Sequence, residues 1–122
     1  MSKRDRLILT RTGEFAFIAI GDSHCGMVRD GQRQDCKYTV RVCCNPDTVD
    51  PDGYMFEQLV VQDYFDRIRR VKSTCELLAI RVASELEEVI MQENTLLEIY
   101  WIEVSLSAAP YAAAMTFRYH PR

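Results

Sequence analysis

The chain has 122 residues, 48% of them apolar and 27% charged, with a formal net charge of -3. That length holds one domain, 1–122, with a core of its own. The weak negative charge excludes a global basic field for nucleic acid or an anionic membrane surface, and no apolar run approaches the ~18 residues of a spanning helix.

The opening stretch "MSKRDRLILTRTGEF" lacks the apolar core of a secretion signal, so the chain is expected to stay in the cytoplasm. The five cysteines, Cys25, Cys36, Cys43, Cys44 and Cys75, are odd in number and form no CxxC pair. A disulfide scaffold is not expected. Cys43 and Cys44 are neighbours in a predicted strand, so they point to opposite faces and do not share a metal.

In chain order, "DRLILTR" and "EFAFIAI" predict a first extended arm, with Phe15, Phe17 and Ala19 on one face and Ala16, Ile18 and Ile20 on the other. "GDSHCGMVRDGQRQD" reads as a polar loop, and "KYTVRVCC" as a second strand in which Tyr38, Val40 and Val42 alternate with Lys37, Thr39 and Arg41. "NPDTVDPDG" is a breaker cluster, after which "YMFEQLVV" is read as extended. Asp63 is placed as the cap of a short helix running through Tyr64, Ile68 and Val71.

Ser73–Ile90 is the longest predicted helix. Its Cys75, Leu78, Ala79, Val82, Leu86 and Val89 form one apolar stripe. "MQENT" is a loop, "LLEIYWIEVSLS" a strand, "AAP" a turn and "YAAAMTFRY" the last strand. The resulting order, ββααββ, predicts an α+β fold: an antiparallel four-stranded sheet with two helices on one face.

Several words in this order resemble the tunnelling fold (T-fold), whose members include dihydroneopterin aldolase and 6-pyruvoyl-tetrahydropterin synthase. "RDRLILTR" is similar to the aldolases' opening strand, and "VVQDYFDRI" to the segment entering their first helix, with Asp63 and Tyr64 matching. "STCELLAIRVASEL" is similar to their second helix, with Glu76 on the family's glutamate, and "WIEVSLSAAP" resembles their penultimate strand. The resemblance covers most of the chain. It implies a homo-oligomeric ring or barrel and a pterin-like or purine-like ligand at a subunit interface. It also implies aldolase- or epimerase-like chemistry, a lyase or isomerase, if the chain is an enzyme.

The chain departs from both patterns. Leu106 (or Ser105) stands where the aldolases carry a lysine, and no lysine follows Lys72. Gln34 and Cys36 stand where the synthases carry two zinc-binding histidines. No cofactor and no stoichiometric zinc are expected. Alternatives are a non-catalytic assembly or ligand-sensing module, and a synthase or lyase with an atypical metal site built from His24, Cys25 and Cys36.

Two readings of Glu76 compete. Ser73-x-x-Glu76 fits a capping box, in which Glu76 serves only the helix. Alternatively its carboxylate accepts two parallel N–H bonds from the amidine-like edge of a pterin or guanine, while helix-start amides beside Thr74 bond the ring carbonyl. The resemblance implies the second role. It also implies that Tyr64 moves a proton as a general acid, against a plainer role as an amphipathic core residue. Glu103 is a further candidate anchor at a subunit seam or a salt-bridged strand residue, and Asp30 lies in the loop where the aldolases place an acidic residue. Neither a phosphate-binding glycine loop nor a nucleophile elbow is present.

Overall fold

The computed structural model describes residues 5–20, 30–49, 57–108 and 114–121. Among the described residues the strands and α-helices follow one another as β1 (Leu7–Ala19), β2 (Arg33–Cys44), α1 (Gln58–Arg67), β3 (Lys72–Ser73), α2 (Cys75–Glu93), β4 (Ile99–Ala108) and β5 (Ala114–Tyr119), with a single 3-10 turn at Pro46–Thr48 after β2. The sheet runs β3-β1-β2-β4-β5, antiparallel throughout except where the two-residue β3 lies parallel to the end of β1. The sheet therefore has five strands rather than four. The extra one arises because the chain between the helices returns along β1, with Ile18 N donating to Val71 O (2.9 Å) and Ile20 N to Ser73 O (3.1 Å).

Strand alternation sorts the sheet into two unlike faces. Phe15, Phe17, Cys36, Tyr38, Val40, Val42, Ile102, Val104 and Leu106 point to the helices and are buried. α2 covers them with Leu78, Val82, Leu86 and Ile90, each fully buried. Val89, counted in the predicted stripe, lies only partly buried at its border. α1 adds Val61 and Phe65, its C-cap Ile68 is buried beside them, and Phe65 stacks on Tyr38 with ring centroids 3.9 Å apart.

The segment read as extended is helical from Gln58 onward, and Asp63 is an interior helix residue instead of a cap. Val61, Tyr64, Phe65 and Ile68 recur at i, i+3, i+4 and i+7, a helical period that the short window before Asp63 conceals. The N-cap is Glu57, with no side-chain cap bond, and the helix ends at Arg67, so Val71 lies beyond it. Residues 54–56 of that segment and the turn at 109–110 lie outside the described residues. Elsewhere boundaries move slightly: β2 begins at Arg33, α2 extends to Glu93, and β4 starts at Ile99.

α1 also closes the outer edge of β1. Gln58 Nε2 donates to Thr12 O (3.0 Å) and Gln62 Nε2 to Glu14 O (3.0 Å). The Tyr38 hydroxyl links the two glutamines, accepting from Gln58 Nε2 (2.9 Å) and donating to Gln62 Oε1 (2.8 Å). With Arg11 Nη1 donating to Thr10 O (2.8 Å), three successive edge carbonyls are satisfied by side chains. This blunts an edge that would otherwise template strand pairing.

The helix-free face is polar. Arg41, Glu103 and Arg118 stand side by side on β2, β4 and β5. Glu103 accepts from Arg41 Nη1 (3.0 Å) and Arg118 Nη2 (2.8 Å), and Arg118 lies over the Trp101 ring at 4.0 Å. Partial burial works against the Glu103 charge, but hydrogen bonds from Arg118 and Arg41 outweigh it and hold the carboxyl below its ordinary range.

Two outcomes are expected from this packing. Gly13 permits the Tyr38 hydroxyl network: a Cβ there would fall 2.6 Å from Tyr38 Cζ and 2.7 Å from Gln62 Oε1. Gly13→Ala should therefore cost about 1–3 kcal/mol in denaturant unfolding, and an unchanged midpoint would refute the packing. Glu103→Gln should lower Tm by a few degrees at neutral pH. Because the folded pKa is depressed, this stabilisation is present above the unfolded carboxyl pKa and is lost as pH falls through the folded value. Melts of the two proteins should converge in acid, and a constant difference down to acid pH would contradict the ion pairs.

Candidate functional site

The start of α2 is held at one end of the sheet. β3 fixes it against β1, and the residues leading into β2 close on the same end of β1, with Ala19 N donating to Gln32 O (2.9 Å) and Gly31 N to Ala19 O (2.9 Å). Gly31 has φ +82°, a left-handed turn position that a glycine fills without strain.

Thr74, not Ser73, is the N-cap. Its Oγ1 accepts from Leu77 N (3.2 Å). Ser73 cannot serve, because its backbone belongs to β3 and its hydroxyl donates to Thr74 O (2.8 Å). The expected Ser73–Glu76 capping box is therefore absent: with the cap shifted by one residue, its reciprocal position falls on Leu77, which has no acceptor.

Glu76 is consequently the second residue of the helix, exposed, and no hydrogen bond or ion pair to its carboxylate is found among the described residues. The backbone amides of Cys75 and Glu76 belong to the helix's first turn, where no intrahelical acceptor exists. A carboxylate and outward amides so placed can engage a planar ligand that presents adjacent N–H donors and a carbonyl.

Beneath the cap lie two buried thiols. Cys36, on β2, and Cys75, the first residue of α2, are each 2% exposed, and Cys36 Sγ donates to Lys37 O (3.5 Å). The Cys75 thiol beside it, then burial, pushes the Cys36 thiol far up, while the Cys36 thiol lowers that of Cys75 against burial and the nearby Glu76 charge. A helix N-terminus favours a thiolate in the same sense.

The remaining candidates are dispersed. Asp30 sits in the β1–β2 turn, at the same end of the sheet as Thr74 and Glu76. Tyr64 does not join them. It is 4% exposed, and its hydroxyl donates to Glu85 Oε1 at 2.6 Å, while Arg81 Nε holds the other Glu85 oxygen at 2.9 Å. Burial, then the Glu85 carboxylate, raise the phenol well above its ordinary pKa. Glu85 is nine residues along α2 from Glu76, about 13–14 Å of helix rise. Glu103 lies across the sheet, engaged by its two arginines. Leu106, at the aldolase lysine position, is fully buried.

Of the positions matching the synthase histidines, Gln34 is buried with Nε2 donating to Asp35 O (2.7 Å), and Cys36 faces Cys75. His24 and Cys25 lie outside the described residues. Among the described residues no group of three or more His, Cys, Asp or Glu side chains is placed to hold a metal ion. None of their helices is long and apolar enough to cross a membrane. Sequence reasoning missed the Cys36–Cys75 pairing. The only signal was that both residues occupy inward positions of their elements.

No family model matches the chain, and comparison with curated proteins finds no match. Solved structures do match. The chain is similar to 6-pyruvoyl tetrahydropterin synthase from Plasmodium vivax, with a TM-score of 0.63 at 12% identity, over 96% of this chain and 99% of that one. A catalytic-residue mutant of that enzyme gives the same values. The archaeosine synthase QueF-Like in its apo form matches with a TM-score of 0.59 at 6% identity, over 94% of this chain and 95% of that one. Identities this low speak for the fold alone, and the fold of this chain is the T-fold.

Proposed function

We propose that the chain is a T-fold homo-oligomer that binds a pterin-like or purine-like heterocycle at the start of α2, with Glu76 as anchor. The observation that carries this reading is the position of Glu76. The helix is capped one residue later than its sequence predicts, so its first-turn carboxylate is not folded back into a capping box. Thr74 shapes the turn that presents it, and Asp30 stands at the same end of the sheet. Support from likeness is limited to one neighbour being named for a tetrahydropterin.

Binding without turnover is the form of this reading that the side chains favour. Leu106 offers no ammonium, and the Tyr64 phenol is bound to Glu85 with a raised pKa. An aldolase- or epimerase-like step would require Tyr64 to leave Glu85 and reach across the length of two helical turns. A ligand-sensing or assembly module needs neither change.

Self-association follows from the sheet edges. β5 pairs only with β4 among the described residues, leaving its other edge open. β5 runs antiparallel to β1, so β5 of one subunit can extend the sheet beside β1 of the next and close a ring. Closure would exchange the Gln58, Gln62 and Arg11 bonds to β1 for backbone ones. Light scattering at micromolar concentration should report a closed homo-oligomer, and a clean monomer would count against the ring.

Glu76→Gln should abolish binding of the heterocycle while leaving the fold intact. Glutamine replaces an acceptor oxygen with a donor facing a ligand N–H, a loss of about 2–4 kcal/mol, or roughly 30- to 1000-fold in affinity. Calorimetric titration against a panel of pterins and purines, with parallel thermal melts, measures both quantities. Failure of the unmodified protein to bind any member of the panel, or equal binding by both proteins, would overturn the assignment.

A further inference from the structure

The basic residues Arg67, Arg69, Arg70 and Lys72 crowd one short stretch of the chain. The fold carries two of them to a cleft. Arg69 and Arg70 follow the end of α1 and border an open cleft of about 760 Å3, together with the second half of β1 and the start of β2. That volume is in the range of small-ligand sites, and Glu76 does not line it. We propose that the cleft binds an organic monocarboxylate with an apolar body, with Arg70 as the partner of the carboxylate.

Charge sets the class of ligand. Among the described residues, four cations and three carboxylates line the cleft, a balance of one positive charge. Most of them are already engaged. Arg33 Nε pairs with Asp35 Oδ1 at 3.1 Å. Asp66 Oδ1 accepts from Gln62 Nε2 (3.0 Å), and Asp66 O accepts from Arg69 Nη1 (3.2 Å), which ties Arg69 to the last turn of α1. Glu14 and Lys37 stand opposite each other on β1 and β2, where their charges offset. Arg70 is left exposed, with no ion pair or side-chain hydrogen bond found among the described residues. One unbalanced cation suits a monoanion. A dianion would also meet Glu14 and Asp66.

The donors and the floor suit a carboxylate on an apolar body. A guanidinium presents two parallel N–H groups to a carboxylate. Ala16 adds a backbone donor. Strand parity turns the Glu14 carbonyl outward to Gln62 and the Ile18 amide outward to Val71, so the Ala16 N–H between them points to the same edge. Phe15, Ala16 and Ile18 form the apolar floor on β1. An apolar body resting on that floor withdraws its own surface and that of the floor from water. Nothing in this cleft depends on a ligand at Glu76.

The full chain is titrated calorimetrically with phenylacetate, with its neutral isostere phenylacetamide, and with inorganic phosphate. Phenylacetate should bind saturably at one site per chain, and the other two probes about tenfold more weakly or worse. Arg70→Ala should weaken phenylacetate by about tenfold or more. Arg67→Ala, on the same stretch but outside the cleft, should leave it unchanged. Because the three probes are compared on the unmodified chain, a folding defect in either variant does not affect that comparison. No pterin or purine enters the titration, so its result is separate from that of the Glu76→Gln test. Absence of saturable phenylacetate binding, equal binding of phenylacetamide or phosphate, or equal affinity of Arg70→Ala and Arg67→Ala for phenylacetate would each overturn the proposal.

Discussion

The short parallel splice between β1 and β3 decides where everything at the candidate site stands. Two backbone bonds, Ile18 N to Val71 O and Ile20 N to Ser73 O, draw the chain between the helices onto the end of the sheet. They remove Ser73 from the helix and hand the cap to Thr74. They set Glu76 on the first turn facing outward and Cys75 inward against Cys36. Without the splice, α2 could begin a residue earlier, with Glu76 folded back as the reciprocal partner of Ser73.

The sheet supplies a rigid frame for that end. One face is apolar and packed by α2 and α1, so a one-residue slip would expose every inward side chain. The other face is held by cross-strand pairs among which Glu103 and its two arginines span three strands. Tyr38 connects core to edge: its ring stacks on Phe65, and its hydroxyl orders the two glutamines that satisfy the carbonyls of β1. Gly13 allows that approach by having no Cβ. The edge of β1 is thus shielded by side chains, while the far edge at β5 is not.

Placement separates the candidate residues by role. Thr74, Glu76 and Asp30 belong to one end of the sheet. Tyr64 belongs to the contact between the helices, where its phenol and Glu85 satisfy each other in a mostly buried setting. A buried hydroxyl needs such a partner, and the same bond makes the phenol a poorer acid. A residue type suited to proton transfer is therefore used for packing.

Much of the architecture was legible in the sequence alone. The alternation of Tyr38, Val40 and Val42 and the stripe from Cys75 to Leu86 determined two long strands, one long helix and the faces they bury, because side-chain period reports burial directly. The charged residues of the open face were equally plain from the intervening positions. Tertiary structure decided the rest. Whether Gln58–Val61 coils or extends depends on packing of Val61 and Phe65 against β1 and β2, which no local window contains. The two-residue β3 exists only because β1 is there to receive it, and that pairing moved the helix cap from Ser73 to Thr74. The meeting of Cys36 with Cys75, and of Glu103 with Arg41 and Arg118, joins residues distant in the chain. Sequence determines which side chains turn inward; only the register and approach of the packed elements determine which of them touch.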